Sequence, residues 1–256
     1  MRLIPLGVNG YIPSYGRQTM SFLVLTRSRA LLLDAGTGVS RLLEPSVREL
    51  LAGYSELDIL LTHYHLDHVV GLSYLPGVWT GGRVRLFGPA APFVEAEPAE
   101  ALDRFLHPPL FSATYRSFPG PLEIIPIRED SIRFSALEIR VWPQEHPGGS
   151  IGIRIGDEIA YVTDTVVSAE NAGHVRGVKL LVHELWFTDE EVRAQGPRGH
   201  SHVSGVAELA RIAGVERLLA VHHQPKRTGE EIRVMCEMAG RLAGVPAPVP
   251  REGAVF

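Results

Sequence analysis

Three histidines and an aspartate crowd into His63-Tyr64-His65-Leu66-Asp67-His68, directly behind the apolar run Leu57-Asp58-Ile59-Leu60-Leu61. Neutral imidazole and carboxylate are what zinc and similar borderline cations select, and a cation held there would activate water for hydrolysis. On an extended segment alternate side chains share a face, so His63 and His65 are expected to share one ion. Asp67 and His68, on the turn beyond, would then serve a second. A polar loop with merely solvated histidines is the competing reading; four donor-type side chains at this spacing weigh against it.

A two-metal site needs about six or seven protein donors while keeping positions open for water and substrate. Three further candidates follow strand-like runs. His146 lies in Gln144-Glu145-His146-Pro147-Gly148-Gly149, Asp164 closes Ile159-Ala160-Tyr161-Val162-Thr163-Asp164, and His222 closes Leu218-Leu219-Ala220-Val221-His222. Taken alone, each is more simply a cap or turn residue. Their repetition of one pattern makes them a set.

With Asp34, in Leu31-Leu32-Leu33-Asp34-Ala35-Gly36-Thr37-Gly38, these residues stand in the order of the motifs of the metallo-β-lactamase superfamily, which the chain resembles from near its N-terminus to His222. The resemblance implies an α/β fold, a four-layered αβ/βα sandwich, forming a single domain over residues 1–256. It implies that His63, His65 and His146 hold one metal, that Asp67, His68 and His222 hold the other, and that Asp164 bridges them. The cofactor would be two divalent metal ions, zinc by preference, with manganese or iron accepted by the same donors. A hydroxide between the ions would be the nucleophile, oriented in part by Asp67. Asp34 would orient the histidine loop through hydrogen bonds, alongside or instead of capping the turn at Gly36-Thr37-Gly38.

Ligand identity separates the branches of the superfamily. Its β-lactamases commonly carry a cysteine where Asp164 stands, but the one cysteine here, Cys236, follows the last donor and reads as a buried apolar residue of a helix. Flavodiiron-type members use a glutamate at the place of His65, so a redox iron pair is disfavoured. The segment Gly199-His200-Ser201-His202, leading into a helical pattern, is similar to the last third of ribonuclease Z and related phosphodiesterases. On that match His200 is the catalytic histidine, which stabilises charge on the attacked phosphoryl group or protonates the leaving oxygen. His183-Glu184 resembles the branch's His-Glu pair, read as support for the site or as buried structure. The run from His146 to Ile155 resembles this branch more than glyoxalase II, whose thioester hydrolysis is the alternative activity. A non-catalytic metal-containing binding protein is the remaining class.

Ribonuclease Z grips tRNA with a long basic arm. The sequence has no such insertion: Leu106 to Pro121 is a modest aromatic and proline-rich loop, and the net charge is −4. Gripping nucleic acid needs clustered cations, so a small phosphodiester is expected rather than tRNA. Arg193 and Arg198 read as solvated surface or as a phosphate contact. His107 and His174 read as ordinary surface or loop residues; His202 and His223 adjoin the site, and alternation turns His223 away from a metal held by His222. One cysteine, no secretory signal and no membrane span lead to the expectation of a cytoplasmic enzyme without membrane contact. The resemblance allows a homodimer.

Apolar runs predict strands near 2–6, 20–26, 29–34, 57–61, 83–87, 122–126, 131–134, 137–142, 151–155, 158–162, 178–182 and 217–221. Helical periodicity is read at Val39 to Leu51, Pro92 to Phe105, Val203 to Ala213 and Glu230 to Leu242.

Overall fold

Short runs rich in Leu, Ile and Val, bounded by Gly, Pro or charge, become strands because pairing satisfies their backbone polar groups while their side chains are buried. The computed structural model describes residues 1–256 apart from Pro119, Pro121, Ser135 and Ala136, and its contacts gather into two compact units.

The first unit comprises Met1–Arg128 and Arg251–Phe256. Its strands β1 (Arg2–Gly7), β2 (Ser21–Leu25), β3 (Ala30–Leu33), β4 (Leu57–Leu60), β5 (Val84–Pro89) and β6 (Leu122–Ile127) lie in that order in one sheet. β1 to β3 pair antiparallel and β3 to β6 pair parallel. Leu23, Leu32, Ile59 and Leu86 enter a core that Leu51 of α1 (Pro45–Leu51), Val69 of α2 (Leu66–Val69), Leu75 of α3 (Leu75–Val78) and Leu102 of α4 (Pro98–Phe105) help to close. Leu3 and Phe256 exchange backbone hydrogen bonds of 3.1 and 2.8 Å, which ties the C-terminal segment to β1.

The second unit is Glu129–Pro250. Its strands are β7 (Ser131–Phe134), β8 (Leu137–Gln144), β9 (Ser150–Ile155), β10 (Ile159–Val162), β11 (Leu180–Glu184) and β12 (Leu218–Val221), adjacent in that order. β7 to β10 pair antiparallel, β10 to β12 parallel. Its helices are α5 (Ala172–Val175), α6 (Asp189–Gln195), α7 (Val203–Ala213) and α8 (Gly229–Ala243). Ala160, Leu181 and Ala220 pack in one core with Val206 and Leu209 of α7 and Ile232 and Met235 of α8. No helix among the described residues is long and apolar enough to cross a membrane.

The expected strands are all present, and two expected helices are trimmed for local reasons. The stretch from Val39 splits because Glu44 is extended (ψ 134°) ahead of Pro45; a 3-10 turn over Thr37–Leu43 precedes α1. Likewise α4 starts at Pro98 rather than Pro92, since Glu97 is held extended (ψ 133°) by the proline that follows it.

Parallel strands deliver their carboxyl ends to one edge of a sheet, where loops can carry chemistry on a rigid frame. β3 ends one residue before Asp34 and β4 three before His63; β11 ends on Glu184, and β12 one before His222. Close packing fixes these loops. At Gly36 a Cβ would lie 2.2 Å from the Asp67 carbonyl oxygen and 2.7 Å from that of Met20. Gly36→Ala should therefore cost about 2–3 kcal/mol, the scale of overpacking. Urea unfolding of the metal-free protein checks this, and an unchanged midpoint would show that the Asp67 loop gives way freely.

Candidate functional site

Asp34 organises the donor loop of the first unit. Its Oδ1 accepts from the Thr62 backbone N–H at 2.8 Å, and the Thr62 hydroxyl stands 3.0 Å from both carboxylate oxygens. Oδ2 lies 2.8 Å from His68 Nδ1, which makes Nδ1 the protonated nitrogen and turns the Nε2 lone pair outward, 3.4 Å from Asp67 Oδ2. The Thr62 hydroxyl is also 3.0 Å from His63 Nδ1. Ring centroids of His63 stand 4.5 Å from His65 and 4.3 Å from His68. The three imidazoles thus converge although β4 has already ended at Leu60. Strand alternation does not bring His63 and His65 together, as expected from sequence; the loop does, with His65 capping α2.

The orienting role expected for Asp34 matches this geometry. Asp34→Asn keeps the shape and tolerates the residue's positive φ (55°) but removes the carboxylate that holds His68. Metal affinity should fall by about 10- to 100-fold, the usual loss when such a partner is removed, as read by chelator competition. Unaltered affinity would reduce Asp34 to a turn cap.

In the second unit the two oxygens of Asp164 point to different histidines. Oδ1 is 3.5 Å from His146 Nε2 and Oδ2 is 3.2 Å from His222 Nε2. The Thr163 hydroxyl donates to Oδ2 at 2.7 Å. His146 Nδ1 donates to the Gly199 carbonyl at 3.0 Å, so its Nε2 is the nitrogen that offers a lone pair. Glu184, fully buried, accepts from His200 Nδ1 at 3.0 Å and from the Thr165 backbone N–H at 2.5 Å, with His222 Nδ1 3.7 Å away. Burial alone pushes the Glu184 carboxyl up; the hydrogen bond from His200 and the charges of His200 and His222 outweigh it and hold the group below the ordinary carboxylate range. The His200 ring stacks on Trp186, centroids 4.4 Å apart and planes 13° from parallel. Donor atoms of Asp164, His200 and His222 all lie within 4.8 Å of one another.

Asp34, Asp164 and His222 share a left-handed backbone, φ 55°, 51° and 52°. Such conformations cost free energy in a residue with a Cβ and persist where the surroundings enforce them, often at functional sites. Here each lets the chain turn sharply off a strand and present its side chain at the sheet edge.

The other candidates separate cleanly. His223 has Nδ1 and Nε2 each 3.1 Å from a backbone carbonyl, of Leu185 and Ala220, and is committed to the strand frame. His183 donates from Nδ1 to the Glu184 carbonyl at 2.8 Å, and burial lowers its pKa, so it supports the Glu184 backbone in neutral form. His107 is exposed, and His174 stacks on Trp142 with centroids 4.8 Å apart. Arg193 and Arg198 are exposed. Three contributors were not anticipated: Thr62, the Trp186 platform, and Tyr11, whose backbone N–H donates to Asp67 Oδ2 at 2.7 Å. Thr62, beside His63, was legible in principle; the Tyr11 contact spans 56 positions and leaves no local signal.

The donor sets suit a divalent cation, since imidazole nitrogens and carboxylate oxygens converge and the far side of His68 and of His146 is held by a hydrogen bond. Residues 29–223 match the family model described as the beta-lactamase superfamily domain. Ribonuclease Z of Methanopyrus kandleri is 28% identical over 277 aligned residues, covering 89% of this chain and 88% of that protein. Among solved structures, the metallo-beta-lactamase fold protein YhfI from Bacillus subtilis superposes with a TM-score of 0.77 at 20% identity, over 100% of this chain and 98% of that one. A diphosphatase from the PhnP family gives 0.70 at 18% identity, over 100% and 96%. With the family model covering most of the sequence and these folds spanning all of it, the chain belongs to the β-lactamase superfamily, as a hydrolase of the metallo-β-lactamase fold.

Proposed function

We propose that the chain is a phosphodiesterase that uses two divalent cations to cleave a small phosphodiester. The observation that carries this reading is His200, fixed through Nδ1 by the buried Glu184 carboxylate and stacked on Trp186, so that Nε2 is the nitrogen available to a substrate oxygen. A histidine held in this way suits a leaving alkoxide, which needs a proton, better than a thiolate, which leaves without one. Similarity to a ribonuclease Z supports phosphodiester chemistry.

The ligand assignment is the one the family resemblance implies: His63, His65 and His146 for one cation, Asp67, His68 and His222 for the other, and Asp164 shared. Bound there, the cations would lend Lewis acidity to the phosphoryl group and activate water for attack. The chain's own residues do the positioning. Asp34 fixes the His68 ring, the Gly199 carbonyl fixes His146, and Tyr11 N–H holds the Asp67 carboxylate. Glu184 keeps the proton on His200 Nδ1, and Nε2–H passes a proton to the leaving oxygen.

A small substrate is supported by the segment Leu106 to Pro121, of which Pro119 and Pro121 lie outside the described residues. Leu106 and Tyr115 are buried in the core of the first unit, with Phe111 and Phe118 packed against it, and Arg116 is tied to Asp103 at 2.6 Å. Its aromatic side chains are spent on packing.

Metal analysis with turnover of bis(p-nitrophenyl) phosphate and of lactoylglutathione, before and after chelation, tests the reading. About two metals per chain and chelator-sensitive phosphodiester cleavage are expected. Thioester cleavage alone would replace the proposal by a glyoxalase-type activity, and absence of bound metal would sink it.

A further inference from the structure

Leu66 stands between the donors His65 and Asp67, and the residue is 66% exposed. One exposed leucine is unremarkable, but this one lines two clefts of the first unit. The wider, about 690 Å³, has Tyr11, Ile12, Pro13 and Val70 on its walls and His65 and Asp67 on the same lining. Tyr11 is 69% and Ile12 48% exposed, so large apolar groups gather in the open beside two donor side chains. The narrower, about 220 Å³, is bounded by Tyr64, Leu66, Phe105 and Arg104.

The wall carrying Tyr11 is held in place. The buried Asn9 donates from Nδ2 to Ser14 Oγ at 2.8 Å and accepts from Arg17 Nε at 2.7 Å, while Ser14 and Arg17 exchange backbone hydrogen bonds. Tyr11 and Tyr15 sit at φ 65° and 50°, a conformation that side chains with a Cβ rarely adopt. At Tyr11 this backbone turns the N–H to Asp67 Oδ2 at 2.7 Å, which fixes the exposed ring beside a donor side chain.

We propose that Leu66 is a specificity-determining residue, a ridge that directs a planar aromatic arm of the substrate into the wider cleft, against Tyr11 and Ile12. The arm that the cleft takes is then planar and aromatic rather than short and aliphatic. Exposed Tyr11 offers a ring face for stacking, and Ile12 and Leu66 offer apolar contact on either side. This inference rests on the phosphodiesterase reading, because that reading makes His65 and Asp67 ligands of the cations that would act on the phosphoryl group.

Calorimetry on metal-loaded protein with phenylphosphonate and methylphosphonate tests the cleft without needing turnover. Wild type should bind the phenyl compound at least about tenfold more tightly, the scale of one good apolar contact surface. Leu66→Ala and Ile12→Ala should each remove most of that preference and leave methylphosphonate binding within about twofold. Both side chains are exposed, so truncation opens no internal cavity, and thermal melts confirm the fold. Equal binding of the two phosphonates by wild type, or a preference untouched by both variants, overturns the proposal. Turnover of bis(p-nitrophenyl) phosphate is measured in parallel. An aryl preference that responds to both variants, in a protein that cleaves no diester, would sink the phosphodiesterase reading and leave the cleft assignment standing.

Discussion

Asp164→Ala is expected to lose or disorder at least one cation and to lower phosphodiester turnover by about three to four decades, the several kcal/mol that metal stabilisation of the transition state supplies. The side chain is 3% exposed, and its two oxygens approach His146 and His222 at 3.5 and 3.2 Å. No other carboxylate of the second unit has this arrangement among the described residues: Glu184 reaches His200 and His222 from the Nδ1 side, where it orients rings. Removing Asp164 therefore takes away the carboxylate that, among the described residues of the second unit, faces both Nε2 atoms. A collapse of the fold would give the same loss of activity, so Asp164→Asn is the informative companion. Asparagine accepts the left-handed backbone at φ 51°, keeps the volume and can still accept from the Thr163 hydroxyl, and differs chiefly in charge. Metal analysis after dialysis should show depletion in both variants. Wild-type metal content and turnover in Asp164→Asn would remove Asp164 from the centre.

The strands were legible because each is a short apolar run whose neighbours break it; their order and register were not, since pairing joins residues far apart in the chain. α7 and α8 were legible for a similar reason: their buried positions, such as Val206, Leu209, Ala210 and Ala213, recur at helical spacing. α6 was overlooked although its start is written in the sequence, where Thr188 and Glu191 form a reciprocal capping box. Its side chains include none that are buried, so apolar periodicity could not reveal it. The four-residue helices α2, α3 and α5 are too short for any periodic signal.

At the site, donor types and their spacing were legible, but how they are held was not. The left-handed turns at Asp34, Asp164 and His222 arise from tertiary packing and have no glycine to announce them. The pairing of His183 and Glu184 was visible as a motif. What divides their roles is the strand itself, which leaves Glu184 to His200 while His183 donates to the Glu184 carbonyl.

His200→Ala should retain metal at the wild-type level while turnover falls by about two to four decades, the scale for losing a general acid. The geometry makes this a discriminating test, because the donor atoms of Asp164, His200 and His222 lie within 4.8 Å and His200 could itself be a ligand. Its surroundings favour proton transfer. Nδ1 is bound to Glu184 at 3.0 Å, Glu184 is anchored by Thr165 N–H at 2.5 Å, and the ring lies flat on Trp186, so the imidazole cannot swing while it donates. The Glu184 carboxylate, held below the ordinary carboxylate range, binds the Nδ1 side of the ring and leaves Nε2 toward the substrate. The leaving group supplies the second readout. Departing p-nitrophenolate needs little protonation, whereas an alkoxide needs much, so His200→Ala should harm an alkyl diester far more than the p-nitrophenyl one. Glu184→Gln should shift both in the same direction by a smaller factor, since it loosens the contact that orients the ring without removing the ring. Loss of metal in His200→Ala would make the histidine a ligand. Equal losses across leaving groups would assign it to stabilising charge on the phosphoryl oxygens rather than to delivering a proton.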